Sequence, residues 1–347
     1  MELGPYRAVD HPFRLTVDGV APVDVRSIFA GLEDPHAQPR LRFRLTFDQP
    51  DGRGTLHDGD ELVTSGPARV LLQGVISCLG ETLTVGNSAV AVHATTVGDE
   101  RGGTLLVGRS WAGKSTLATA LMVDGLRLVA EDITIFDDDL RARPYHRPLG
   151  LTEASFDLLG LEVPDGADDH CGGAKMLVSA EQLGLGVQGA TPIRIVALCD
   201  RTSDALQRIS PALALARVLE MGVAPLPDPG HHLDVLARVL TQAVCVEVGT
   251  RSLKSATEWL HTIESPTAAP PATLVEVHGN RADVYCGDEA VIVQLDDLRA
   301  HHLNRPAAAV WLLHTEGLGP AAIAGELGAD PGSVDETFAE FAHAGLL

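Results

Sequence analysis

The stretch Gly108-Arg-Ser-Trp-Ala-Gly113-Lys114-Ser115-Thr116 constrains this chain more than any other. It meets the pattern GxxxxGK[ST] at every fixed position. It follows an apolar run, 104–107, that reads as a strand, and it opens a run, 114–123, that reads as a helix. A glycine loop that ends a strand and begins a helix belongs to α/β architecture. The glycines allow close backbone approach, successive N–H groups turn inward, and the helix N-terminus adds the positive end of its dipole. A phosphate is the group such a cradle fits. Gly108, Arg109, Ser110, Trp111, Ala112, Gly113, Lys114, Ser115 and Thr116 are therefore the predicted nucleotide-binding residues. Lys114 is placed to reach the β- and γ-phosphates of ATP, and the Ser115 hydroxyl to ligate Mg²⁺.

Glu131 and Asp132 follow a second predicted strand, 126–130, and begin seventeen positions after Lys114. Ligands collect at the carboxyl ends of parallel strands. Two carboxylates there suit two tasks: holding a metal, and taking the proton of an attacking hydroxyl.

Around this centre the chain of 347 residues reads as two or three domains. The first 66 residues form a small β-rich region, with alternating runs at 13–17 and 41–47 and turn signals at Asp51–Gly52 and Asp58–Gly59. From residue 67 the period becomes helical, with Val70, Leu71, Val75, Cys78 and Leu79 on one face. Strands at 89–97, 133–136 and 193–198 and a helix at 211–221, capped by Ser210, continue an α/β pattern to residue 264. The segment 265–272, SPTAAPPA, reads as a semi-rigid linker. Beyond it, 273–347 shows three strand signals with turns at Gly279–Asn280 and Gly287–Asp288, then three helix starts at Asn304, Gly319–Pro320 and Asp330–Pro331.

Acidic residues outnumber basic ones, 47 to 26, which argues against nucleic acid or an anionic membrane as a partner, since both require a cationic face. Lysine occurs three times, at 114, 175 and 254. Cys78, Cys171, Cys199, Cys245 and Cys286 are scattered and odd in number, reading as reduced thiols of a cytoplasmic protein. The pairs His231–His232 and His301–His302 read as surface residues, since adjacent side chains diverge.

His93, Gly108 to Thr116 and Leu128-Val-Ala-Glu131-Asp132 together resemble the bacterial HPr kinase/phosphorylase catalytic domain and its HPr-kinase-like relatives. In that family a histidine stands fifteen positions before the first loop glycine, as His93 does, and the acidic pair sits in a sequence like LVADD; here it is LVAED. Arg147-Pro-Leu and the strand PIRIVALC extend the likeness, which covers roughly 67–260. The resemblance implies a catalytic domain over 67–264, with Glu131 as general base, Asp132 as its metal-side neighbour and His93 as an orienting residue. Arg147 becomes a candidate substrate contact through that likeness; Lys175 is a second candidate on its own sequence, since it follows Gly172–Gly173 in a stretch that reads as a flexible loop and could meet a phosphate or an acidic substrate. Three departures stand out. Glu replaces the first Asp, Trp111 stands where the family has glycine, and the family's glycine-rich signature loop after residue 150 is absent.

Residues 273–347 resemble PqqD-like domains through His302-Leu-Asn304-Arg-Pro-Ala-Ala-Ala-Val-Trp311, Ile323 to Leu327, and Val334 to Leu347. That likeness implies a winged-helix-like module of three strands and three helices that binds a leader peptide as an added edge strand. A DNA-binding winged helix is the rival reading. From Leu303 onward the only Lys or Arg is Arg305, against six acidic residues, which would repel phosphates. Joined, the two resemblances imply an ATP- and Mg²⁺-dependent kinase for a serine of a ribosomally made precursor peptide, of the type found in lasso-peptide pathways. A small-molecule kinase, an HPr-type kinase/phosphorylase and a non-catalytic nucleotide-gated adaptor are the alternatives, and a homo-oligomer is left open.

Overall fold

The computed structural model describes residues 1–21, 23–47, 53–85, 90–164, 175–221, 228–264 and 272–347. The chain opens with a five-stranded sheet in sequential order: β1 (Glu2–Ala8), β2 (His11–Gly19), β3 (Leu41–Phe47), β4 (Arg53–Asp58) and β5 (Glu61–Pro67). β2 and β3 are parallel, so the chain crosses between them through helix α1 (Val25–Ile28) and one 3-10 turn. Alternation works as expected: Phe13, Leu15, Val17, Phe43, Leu45 and Phe47 are buried. Helix α2 (Ala68–Val85) covers this face with Leu71, Leu72, Val75, Ile76 and Leu79. Val70 and Cys78, expected on the same stripe, sit half-buried at its margin. Gly59, at φ 58°, turns β4 into β5, while the turn expected at Asp51–Gly52 lies outside the described residues.

The central sheet contains β6 (Val90–Val92), β7 (Ala94–Asp99), β8 (Gly102–Val107), β9 (Arg127–Ala130), β10 (Thr134–Phe136) and β11 (Arg141–Ala142). Apart from a separate two-stranded antiparallel sheet of β12 (Leu149–Leu151) and β13 (Met176–Val178), it is completed by β14 (Thr191–Asp200), β15 (Leu206–Arg208) and β16 (Val244–Gly249). Helices α3 (Lys114–Val123), α4 (Glu153–Leu159), α5 (Pro211–Glu220), α6 (Pro229–Gln242) and α7 (Leu253–Thr262) surround it. Alternation along β14 decides which helix lies where. Ile195 and Ala197 face the core built with α3 and α7, whereas Val196 and Leu198 face the core built with α5 and α6. β8, β14 and β16 run parallel. β7 pairs antiparallel with both β8 and β9, so β9 runs with β8. The carboxyl ends of β8, β9, β14 and β16 therefore gather at one edge of the sheet, together with the start of β7.

One correction arises here. The run 89–97 was expected as a single strand, but it divides at His93: β6 pairs with β10 and β7 with β8 and β9. The apolar alternation continues across the break, so sequence period does not reveal the change of neighbour.

The C-terminal region holds β17 (Thr273–His278), β18 (Arg281–Cys286), β19 (Glu289–Gln294) and β20 (Arg299–Leu303), then α8 (Arg305–Thr315), α9 (Pro320–Leu327) and α10 (Pro331–His343). The expected caps form: Asn304 accepts from Ala307 N–H and Asp330 from Ser333 N–H. The sheet has four strands rather than three, because Arg299 to Leu303 pairs along β19 despite its polar composition. One face packs Ala290 and Ile292 against Trp311, Ile323, Val334 and Phe341. The other places Ala282, Val284, Val291 and Val293 in one core with Leu215, Leu233, Leu236 and Leu240 of α5 and α6. Most of the expected linker, 265–271, lies outside the described residues, as does Cys171. His232 is buried with Nδ1 2.8 Å from the Asp228 carbonyl, which corrects its reading as a surface residue. No helix among the described residues is long and apolar enough to cross a membrane.

Candidate active site

The loop from Gly108 to Gly113 leaves β8 at the gathered strand ends and enters α3 directly. Both fixed glycines are required by geometry. A Cβ on Gly108 would lie 2.9 Å from the Cys199 carbonyl oxygen, and one on Gly113 would lie 2.9 Å from Thr250 Oγ1. Gly113 also holds φ at 91°. Thr250, just past β16, donates its hydroxyl to the Ala112 carbonyl at 2.9 Å and so pins the loop from the neighbouring strand. Ala112 is buried, while Arg109, Ser110 and Trp111 are exposed. Trp111 holds φ at 70°, a left-handed conformation that costs a bulky residue about 1–2 kcal/mol. Its ring lines the cleft, 52% exposed, with the Lys175 ammonium 5.0 Å from the ring centroid.

Lys114 folds back along the loop. Its ammonium donates to the carbonyls of Gly108 (2.6 Å) and Arg109 (3.3 Å) and stands 3.1 Å from His93 Nε2. Burial lowers its pKa, and the attraction of Asp132 and Glu131 opposes that shift only in part. Burial first, and then the charge of Lys114, also lowers the pKa of His93. A neutral imidazole accepting at Nε2 carries its proton on Nδ1, which faces Asp132 Oδ1 at 3.5 Å.

Glu131 and Asp132 point to different places. Glu131 is 3% exposed; Oε1 accepts from the Ser115 hydroxyl and Oε2 from the Thr95 hydroxyl, each at 2.7 Å. Asp132, at φ 66°, turns into the cleft, where Oδ2 accepts from Arg147 Nη1 at 2.6 Å. Burial alone would raise its pKa, but Arg147, His93, Lys114 and Lys175 together hold the carboxyl below the usual range.

His93, Lys114, Ser115 and Asp132 line a cleft of about 450 Å³ with Thr116, Thr152, Ser155, Arg201 and Leu253. Thr116, Ser155 and Thr152 form a chain of hydroxyls with 3.0 Å spacings. Among the candidate residues, His93, Ser110, Trp111, Gly113, Lys114, Ser115, Thr116, Asp132 and Lys175 meet at the cleft wall. Arg147 stands behind Asp132, and Glu131 behind Ser115. Arg109 contributes its carbonyl to Lys114. Sequence reasoning missed Thr95, Thr152, Ser155, Arg201 and Thr250. Thr152, Arg201 and Thr250 directly follow strand ends, the one available signal, and β12 and β16 themselves escaped notice.

No family model matches the chain, and no curated protein matches it either. A solved structure that it resembles is the Hpr(Ser) kinase/phosphatase from Coxiella burnetii, at 12% sequence identity and a TM-score of 0.26, over 49% of this chain and 93% of that one. A likeness at that level assigns no function, which must come from the side chains themselves.

Proposed function

We propose that the chain is a kinase that transfers the terminal phosphate of ATP to a hydroxyl, with the loop 108–116 as its phosphate cradle. The observation that carries this is the Ser115–Glu131 hydrogen bond set beside a buried Lys114 and below a cleft-facing Asp132. A hydroxyl and a carboxylate side by side form the sparse oxygen donor set that suits Mg²⁺, which keeps most of its sites for phosphate and water. Ser115 and Glu131 would hold that ion; when bound, it neutralises phosphate charge. Lys114 exchanges its loop carbonyls for phosphate oxygens. Asp132 then orients the acceptor hydroxyl. As the acceptor oxygen bonds to the γ-phosphorus, the bond to the β-phosphate oxygen breaks, ADP departs, and the hydroxyl proton passes to Asp132. A carboxylate held below its usual pKa is a weak base, which suffices when the transition state is loose and the proton leaves late. This division reverses the one the family resemblance implies: Glu131 serves the metal side and Asp132 the acceptor side.

The acceptor we favour is a serine of a precursor peptide whose leader adds to an edge of the C-terminal sheet. β17 and β20 are those edges. The cleft volume of about 450 Å³ also suits a small-molecule acceptor, the second reading. Incubation of candidate peptides with ATP and Mg²⁺, followed by mass spectrometry, tests the first. One added phosphate on serine supports it. Phosphorylation of free amino acids or sugars, with none on any peptide, replaces it by the second. ATP binding without turnover in either set, unchanged by Asp132→Asn, would point to a nucleotide-gated adaptor.

A further inference from the structure

We infer that Lys175 is a second, movable phosphate cation and that the indole of Trp111 is its resting seat, which it leaves when the terminal phosphate of a nucleotide enters the cleft. The inference rests on the phosphate-transfer reading above and adds a residue pair to it. Its basis is the contrast among the Lys and Arg side chains whose charges act on Asp132. Lys114 is tied to two loop carbonyls and lies against His93, and Arg147 is tied to Asp132. Lys175 lies over the Trp111 ring, and among the described residues no carboxylate stands within ion-pair distance of it. A half-exposed ring holds an ammonium weakly, whereas a phosphate dianion holds it through charge-assisted hydrogen bonds. Phosphate therefore wins the exchange.

Two further observations fit a lysine that moves. A Cβ on Gly150 would lie 3.1 Å from Lys175 Cδ, so the glycine at that position keeps space beside the lysine stem. Trp111 keeps its ring on the cleft wall by holding a left-handed backbone that glycine would adopt freely. Because the ring belongs to the phosphate loop, a cation resting on it waits next to the place where phosphate binds.

Tryptophan emission, taken as wild type minus Trp111→Phe, reads the seat directly. Calorimetry with magnesium and a non-hydrolysable ATP analogue reads binding. The analogue is expected to change the Trp111 emission of the wild type. Lys175→Met should show the altered emission before any nucleotide is added, and should bind the analogue at least about tenfold more weakly. Trp111→Gly should raise the KM for ATP with a smaller effect on kcat, and Trp111→Phe, which keeps an aromatic seat, should restore it. If the wild type binds the analogue with no change in Trp111 emission, or if Lys175→Met binds it as tightly as the wild type, the inference is overturned while the kinase reading stands. If the wild type binds no nucleotide at all, both fall together.

Discussion

The candidate-site end of the central sheet and the seam between α5–α6 and the C-terminal sheet are built from opposite materials. At the candidate site a few named side chains carry the arrangement, and replacing one should change what it can do. Lys114, Glu131 and Asp132 are each held by two or more polar partners, and Trp111 and Asp132 adopt left-handed backbone. The seam has almost no polar content. It is a continuous apolar layer in which Ala282, Val284, Val291 and Val293 meet Leu215, Leu233, Leu236 and Leu240. The first region is specified by residue identity at fixed spacing, the second by shape and area. Damage to the first should remove activity and leave the fold; damage to the second should do the reverse.

The largest effect is expected from Lys114→Met. Losing the one buried ammonium of the cradle should lower phosphate transfer by about 10³-fold or more. The thermal midpoint should hold, because the change removes a buried charge and leaves no cavity. A loss of midpoint matching the loss of activity would merge the two regions and break the comparison. On the other side, Leu236→Ala at the fully packed seam should cost about 2–5 kcal/mol of unfolding free energy, measured by denaturant titration. The rate per folded molecule should change little.

Those two predictions also mark what the sequence could and could not disclose. The loop, α3, the acidic pair and the caps at Ser210, Asn304 and Asp330 are legible because each is a residue type demanded by a local geometry. The seam is not legible. An apolar face on β18 or α6 announces that it will be buried, but not against what, and the proline-rich run at 265–272 argued for separation. β20 was missed for a related reason: a strand that carries Arg299, His301 and His302 gains its place from pairing with β19, not from its own pattern. The division of Glu131 and Asp132 between different partners was also out of reach, since a left-handed turn at one residue sends two adjacent carboxylates to different neighbours.

That division gives the next test. Asp132→Asn should lower kcat by about 10²-fold or more, with a smaller effect on the Mg²⁺ requirement. Glu131→Gln should chiefly raise the Mg²⁺ concentration needed for half-maximal rate. Exchanged signatures would restore the roles the resemblance implies. A smaller effect is expected from pH. Burial and Lys114 depress the pKa of His93, so the folded chain binds its proton less readily than the unfolded chain. The stability this contributes is complete above about pH 6.5 and is lost as pH falls through the lower, folded value. His93→Gln should flatten that part of the stability profile, read as thermal midpoint against pH.

The smallest effect tests whether the seam is one unit. Ser210 does two things at once: its oxygen accepts from Leu213 N–H at the start of α5, and its hydroxyl donates to Glu289 of β19. Glu289 is also 2.8 Å from His302 Nε2 on β20, so one short polar chain crosses an otherwise apolar junction. Ser210→Ala removes a helix cap worth about 1 kcal/mol. Glu289 keeps His302 and partial exposure to water, so little desolvation penalty is added. If the shared core binds both sheets into one cooperative structure, calorimetry should show a single transition shifted down by about 1–2 °C. Two transitions, with only the earlier one moved, would mean that the C-terminal sheet unfolds from α5 and α6 before the central sheet melts. The apolar layer would then be a docking surface between two folding units.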